Sequence, residues 1–290
     1  MAPSSTATPD PEPHAVAYTP SPTKGIATIT LNRPHRRNAI DPLTARKLYK
    51  SFQDFENDDS QKVCVFYGLN GTFCAGADLQ DVAAITTTSP ASSSDPDSSV
   101  SEMISSRFQP VSGANLAPVG PSRMQPSKPV ICAVSGYAVA GGLELSLLAD
   151  MRIVEEDAIF GVFCRRFGVP FIDGGTVRLP AVIGLGRALD LLLTGRPVDA
   201  QEAFQMGLAN RVVPKGKAVE EAMKLAELVG SFPQLCMRKD RASAYHAVYG
   251  GGDFEEKMSF EFNNAVEVLT KESLEGARRF AGGQGRGGKL

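Results

Sequence analysis

Apolar and polar residues alternate over 25–31, G-I-A-T-I-T-L, which predicts a strand with one face toward a core. Two short continuous apolar runs, 63–67 and 130–134, predict strands buried on both faces. Residues 143–149, L-E-L-S-L-L-A, predict a helix packed inside the domain, with Glu144 as its one charge, in the first turn. Few neighbouring groups in the sequence offer to satisfy that carboxylate, although the positive end of the helix dipole suits it. Asn32-Arg33-Pro34 ends the first strand, and Asp41 caps a helix with Pro42 at its first position. Ala45, Leu48, Phe52 and Phe55 share one face of that helix.

Beyond residue 150 the pattern predicts a strand over 151–154, a further segment at 158–161, and a loop, C-R-R-F-G-V-P-F-I-D-G-G-T, over 164–176. A helix over 187–194 is stopped by Gly195, and Asp199 with Glu202 opens another that Gly207 ends. A brief strand at 211–213 precedes three helices. Residues 219–229 carry Ala222, Leu225, Ala226 and Val229 on one face, 234–248 follows, and 254–269 carries Phe254, Met258, Phe262, Val266 and Leu269. Strands alternate with helices early and helices stand alone late, which predicts an α/β core followed by a helical region. The expected division is a disordered tail over 1–20, a core over 21–214, a helical region over 215–280 and a flexible tail over 281–290. Within the core, 85–127 is a mobile insertion rich in Ser, Thr, Pro and Asp, with a short helix over 102–108 and an irregular stretch from Pro110 to Pro129. It is either a lid over a pocket or a surface loop.

Composition narrows the function classes. With 290 residues, 42% apolar and 21% charged, the chain is ordinary for a soluble globular protein. A net charge of -2 gives no electrostatic case for nucleic acid, and no apolar run reaches the roughly 18 residues of a membrane span. Five cysteines without a C-x-x-C pair read as reduced thiols in an intracellular protein, and three scattered histidines leave no metal cluster. The terminal Gly288-Lys289-Leu290 is similar to the peroxisomal tripeptide address; otherwise the expected location is cytoplasmic.

Two places share one design. Strand 63–67 leads through glycines to F-C-A-G-A-D-L, with a helix predicted at Ala77-Asp78-Leu79, and strand 130–134 leads to Gly141-Gly142 and a helix. Each turn exposes backbone N–H groups without partners inside its helix. Facing each other, two such amides make an oxyanion hole, suited to the enolate of a thioester; each glycine turn alone equally fits a tight turn serving its own geometry. Glu144 lies about one helical turn beyond Gly141. A carboxylate in an apolar pocket has a raised pKa and works as acid or base, or it is a buried group held by an Arg or a backbone N–H. Gly184-Leu185-Gly186 lacks a dinucleotide context, no phosphate loop is present, and Ser135 is not in a nucleophile elbow.

Taken in order, I-T-L-N-R-P-H-R-R-N-A-I, F-C-A-G-A-D-L, K-P-V-I-C-A-V-S-G-Y-A-V-A-G-G-L-E-L, D-G-G-T-V-R-L-P and L-T-G-R-P-V-D-A-Q-E-A resemble the enoyl-CoA hydratase/isomerase (crotonase) family from about residue 25 to 280. The resemblance implies an α/β crotonase-like spiral of ββα units with a C-terminal helical region used in trimer contacts, hence a homotrimer or a dimer of trimers. It implies an acyl-CoA thioester as substrate and no separate cofactor. By matching positions, the Ala77 and Gly141 amides form the oxyanion hole, and Ala75, Asp78, Leu79 and Gln80 line the CoA site. Glu144 falls on the first of two hydratase glutamates. The second falls on Cys164, in F-G-V-F-C, where a thiol with a reference pKa of about 8.5 is a poor acid. Asp173, in the family's pocket-lining loop, or a bound water is then expected to supply the missing proton transfer. Asp173 also reads as a turn or cap residue. Arg165 and Arg166 are expected to pair with Glu144, to meet a substrate carboxylate, or to face solvent. Water addition to a 2-enoyl-CoA is the first expectation. Double-bond isomerisation is the second, although simple isomerases of the family usually keep the second carboxylate and lose the first. A non-catalytic acyl-CoA binder is the third.

Overall fold

The computed structural model describes residues 10–81, 83 and 108–285. The chain enters as an antiparallel hairpin of β1 (Val16–Thr19) and β2 (Ile26–Leu31), so the expected disordered tail is already ordered before residue 20. The four-residue β1 is too short to stand out in the sequence and is fixed by its register on β2. Helix α1 (Pro42–Asn57) follows, with the Asp41 side chain accepting the Thr44 N–H as expected of a cap. Then come β3 (Val63–Gly68), β4 (Val130–Val134), β5 (Tyr137–Val139), α2 (Gly141–Ser146), β6 (Met151–Glu155) and β7 (Ile159–Gly161). Next are α3 (Gly175–Ile183), α4 (Leu185–Thr194), β8 (Val198–Asp199), α5 (Ala200–Gln205) and β9 (Arg211–Val213). Helices α6 (Ala218–Ser231), α7 (Gln234–Tyr249), α8 (Phe254–Val268) and α9 (Leu274–Ala281) close the chain.

Six strands form one sheet in the order β1-β2-β3-β4-β6-β9, parallel except for the β1–β2 hairpin. Its alternation sorts the core into two layers. Ala27, Ile29, Leu31, Cys64, Phe66, Cys132 and Val134 face one side, where α1 adds Leu48, Phe52 and Phe55. Ile26, Val63, Val65, Ile131 and Ala133 face the other, against Ala218, Ala222, Leu225 and Ala226 of α6. Parallel strands buried on both faces read as continuous apolar runs, which is why β3 and β4 were visible in the sequence. The second sheet, β5-β7-β8, was not, because its strands are only two or three residues long.

Several boundaries move. The helix expected over 143–149 is α2, which begins two residues earlier and ends at Ser146. The loop expected over 164–176 holds a 3-10 turn, Phe163–Phe167, and the start of α3, a helix hidden by its glycines and by Pro180. The last helix does not stop at Leu269 but continues through a π-helical turn, Leu269–Ser273, into α9. Of the expected insertion, the helix over 102–108 lies outside the described residues except for Phe108. Residues 108–127 are mostly irregular, but Ala117, Val119, Pro121, Ser122 and Met124 are buried, so this part belongs to the core.

Candidate active site

The short sheet positions the site. β5 and β7 run side by side in parallel, with Val139 opposite Gly161. Each leaves the sheet into a helical turn: β5 into α2, which carries Gly141 and Glu144, and β7 into the 3-10 turn, which carries Cys164. The Ala140 N–H donates to the Gly161 carbonyl at 2.8 Å and ties the two exits together.

The other corner starts from the core. Phe73 packs edge-on against Phe66, ring centroids 5.1 Å apart, and Phe66 against Phe52. From Phe73 the chain crosses to residues 37–40. The Ile40 N–H donates to the Gly76 carbonyl at 2.8 Å and the Asp78 N–H to the Ile40 carbonyl at 2.9 Å. This bridge uses the groups on either side of Ala77 and leaves the Ala77 N–H without an acceptor among the described residues. Helical backbone begins only at Leu79, so Ala77 and Asp78 precede the helix in which the sequence placed them. Gly76 has φ +93, and a Cβ there would come within 2.8 Å of the Gly141 nitrogen; the turn needs glycine on both counts.

The two corners meet. A Cβ on Gly141 would lie 3.5 Å from the Ala77 nitrogen, and the Gly141 N–H, at the first position of α2, has no acceptor among the described residues. Two open amides on adjoining turns are the donor pair an oxyanion needs.

Glu144 is 2% exposed. Its Oε1 accepts the N–H groups of Asp173 at 2.7 Å and Gly175 at 2.9 Å, while Oε2 accepts nothing from the described residues. Burial, then the charge of Asp173, pushes its pKa up to about 8; the two amides and the Arg178 guanidinium pull the other way. Asp173 is 4% exposed, and burial raises its pKa too. Its Oδ1 accepts the Val119 N–H at 3.1 Å and the Ser122 hydroxyl at 2.6 Å. Asp173 therefore tethers the 119–122 loop with its side chain and Glu144 with its backbone.

Cys164 lies across from Glu144. Its thiol is pushed up by burial and by the Glu144 charge, so it stays neutral at ordinary pH. Arg165 and Arg166 are exposed and turn away: Arg165 donates to the Leu192 carbonyl at 3.0 Å and Arg166 to the Gly195 carbonyl at 3.0 Å. Neither pairs with Glu144. The expected pairing with Glu144 is thus not made, and both side chains face solvent.

The enoyl-CoA hydratase/isomerase family model matches residues 22–282, a span that includes every residue of this arrangement. The chain belongs to the enoyl-CoA hydratase/isomerase family. It is 31% identical to an enoyl-CoA hydratase of Mycobacterium tuberculosis, over 87% of this chain and 89% of that protein. A probable peroxisomal enoyl-CoA hydratase of Arabidopsis thaliana is 29% identical over 81% of this chain and 89% of its own length. A crystal structure of an enoyl-CoA hydratase from M. tuberculosis superposes with a TM-score of 0.78 at 29% identity, covering 92% of this chain and 95% of that one. The fold is thus the crotonase spiral with its C-terminal helical region, and the chain is an enzyme of the hydratase/isomerase family.

Ala75, Ala77, Asp78, Leu79 and Gln80, expected to line a CoA site, fall on one loop, though not as one open surface. Asp78 is buried and paired with Arg33 at 3.4 Å, Gln80 bonds to Arg36, and Leu79 is exposed. A pocket of about 300 Å³ opens beside this loop, lined by Ile40, Pro42, Ala45, Ala77, Asp78 and Leu116 among others.

Sequence reasoning missed the supports. Arg33 is buried among Glu12, Asp41 and Asp78, and also donates to the Ala39 carbonyl at 2.5 Å, which fixes the segment that brackets Ala77. Arg178 donates to the Ser122 carbonyl at 2.6 Å and the Met124 carbonyl at 2.9 Å, and its positive charge favours the ionised form of both Glu144 and Asp173, Arg123 doing the same for Asp173. Arg33 and Arg178 both stand inside motifs that carried the family resemblance, so position was the available signal; their partners, up to 56 residues away, were not legible.

Proposed function

We propose that this enzyme adds water across the double bond of a 2-enoyl-CoA, with Glu144 carrying out both proton transfers, from water and to Cα. The thioester oxygen lies between the Ala77 and Gly141 amides, which stabilise the enolate as it forms. The Glu144 carboxylate takes a proton from water as its oxygen bonds to Cβ, and returns that proton to Cα as the enolate collapses. One O–H bond and the C=C π bond break, one C–O and one C–H bond form, and Glu144 ends as it began. The observation that carries this reading is the state of Glu144: Oε1 held by two amides, Oε2 unengaged, and a pKa near 8, where one group serves as base and then as acid. Asp173, its Oδ1 committed to Val119 and Ser122, acts by placing and tuning Glu144.

Incubation with 2-enoyl- and 3-enoyl-CoA thioesters in ¹⁸O-labelled water tests the reading. Loss of enoyl absorbance with one labelled oxygen per product supports it. A shifted double bond without label means isomerisation, and binding without turnover means an acyl-CoA binder; either result sinks the proposal.

Two further elements belong to the same proposal. A homotrimer or dimer of trimers, using the C-terminal helices, is supported by the exposed row Phe254, Met258, Phe262, Val266 and Leu269. Peroxisomal import through Gly288-Lys289-Leu290, which lies outside the described residues, is supported by the tripeptide and by the peroxisomal relative.

A further inference from the structure

Gly141 has an unusual neighbour. A Cβ placed on it would meet Val119 Cγ1 at 2.7 Å, closer than the Gly76 Cα at 3.3 Å or the Ala77 nitrogen at 3.5 Å. The Val119 side chain therefore stands beside the paired amides and covers the glycine that the thioester must approach. It is also fixed there. The Val119 N–H is held by Asp173 Oδ1 at 3.1 Å. On one side, Ala117 and Gly120 exchange two backbone hydrogen bonds of 2.9 Å. Gly120 has φ +97, and a Cβ on it would come within 2.8 Å of the Ala45 carbonyl, so the turn cannot readily shift toward α1. On the other, Arg178 grips the Ser122 carbonyl at 2.6 Å. Val119 is 1% exposed, and the segment holding it has little freedom to yield to a bulkier ligand.

We propose that Val119 determines which acyl groups this enzyme accepts, by walling the space next to the thioester carbonyl so that chains unbranched at Cα fit and α-methyl chains do not. The proposal rests on the oxyanion-hole reading of Ala77 and Gly141. The α-carbon is bonded to the carbonyl carbon, two bonds from the oxygen, so while the oxygen stays seated it can only swing about the C=O axis. A methyl added there meets a stiff wall, and discrimination of one methyl by a rigid pocket is worth roughly 10- to 200-fold.

The test uses the whole protein and two pairs of thioesters. Calorimetry compares butanoyl-CoA with 2-methylbutanoyl-CoA, which need no turnover. Rates compare but-2-enoyl-CoA with 2-methylbut-2-enoyl-CoA. Wild type is expected to favour the unbranched member of each pair, Val119→Ala to shift both ratios toward the branched member by about tenfold or more, and Val119→Thr, nearly isosteric, to retain the wild-type ratios. Melting curves confirm that each variant is folded. Equal preference in wild type, or ratios unmoved in folded Val119→Ala, overturns the proposal alone. Failure of wild type to bind either saturated thioester overturns the site reading and this proposal with it.

Discussion

β5 and β7 are neighbours in one sheet, run in the same direction, and each ends in a helical turn facing the same space. One exit presents a carboxylate with an ionisation near 8, the other a neutral buried thiol. The backbone device is nearly the same, yet only one wall offers an acid–base group. On the proposed mechanism the fold offers two places for proton transfer, and the side chains decide how many are used. What keeps the remaining group workable is its surroundings: two amides hold one oxygen of Glu144, and the charge of Asp173 adds to burial in raising its pKa.

Removing the working wall has the largest effect. Glu144→Gln is expected to lower kcat by about 10³-fold, within the range for loss of a general acid–base group, while acyl-CoA affinity stays within about twofold. Retention of wild-type turnover would break the contrast between the walls. Stability shifts too. The ionisation near 8 in the folded chain lies above the reference value of 4.5, so the unfolded chain releases its proton first. The contribution is complete below about pH 4.5 and is lost as pH rises through about 8, on the order of a few kcal/mol. Melting curves of Glu144→Gln against wild type should therefore diverge in favour of the variant as pH rises from 5 to 9.

Changing the support should do less. Asp173→Asn keeps an oxygen for Val119 and Ser122 but removes a charge beside Glu144. A kcat loss under about tenfold is expected, below the 10²–10⁴ of a direct proton-transfer group. A loss near 10³-fold would instead make Asp173 the proton donor that the sequence first suggested.

The smallest effect belongs to the silent wall. Cys164→Ser should hold kcat/KM within about threefold, since a thiol whose pKa is pushed up is a weak acid and, being neutral, no base. A loss above tenfold would give the thiol a role.

The sequence carried the sheet well because β3 and β4 are apolar on both faces, and it carried Gly141 and Glu144 because their spacing sits in one continuous run. It lost the contacts that join distant segments. Glu144 looked unsatisfied since its partners are backbone N–H groups of Asp173 and Gly175, which no side-chain pattern reveals. Val119 lay in a proline-rich stretch without periodicity, and only the folded chain sets it against Gly141. Arg165 and Arg166, conspicuous in the sequence, cap carbonyls at the end of α4 and beyond it instead of entering the site.

The most direct test of Glu144 as the single acid–base group is the pH dependence of kcat/KM for water addition, which reports ionisations of the free enzyme. The profile should rise through one ionisation near pH 8, move to lower pH in Asp173→Asn, where the repelling charge is gone, and stay in place in Cys164→Ser. A profile that is flat or falls between pH 6 and 9, or a midpoint that follows Cys164 and ignores Asp173, would contradict the assignment.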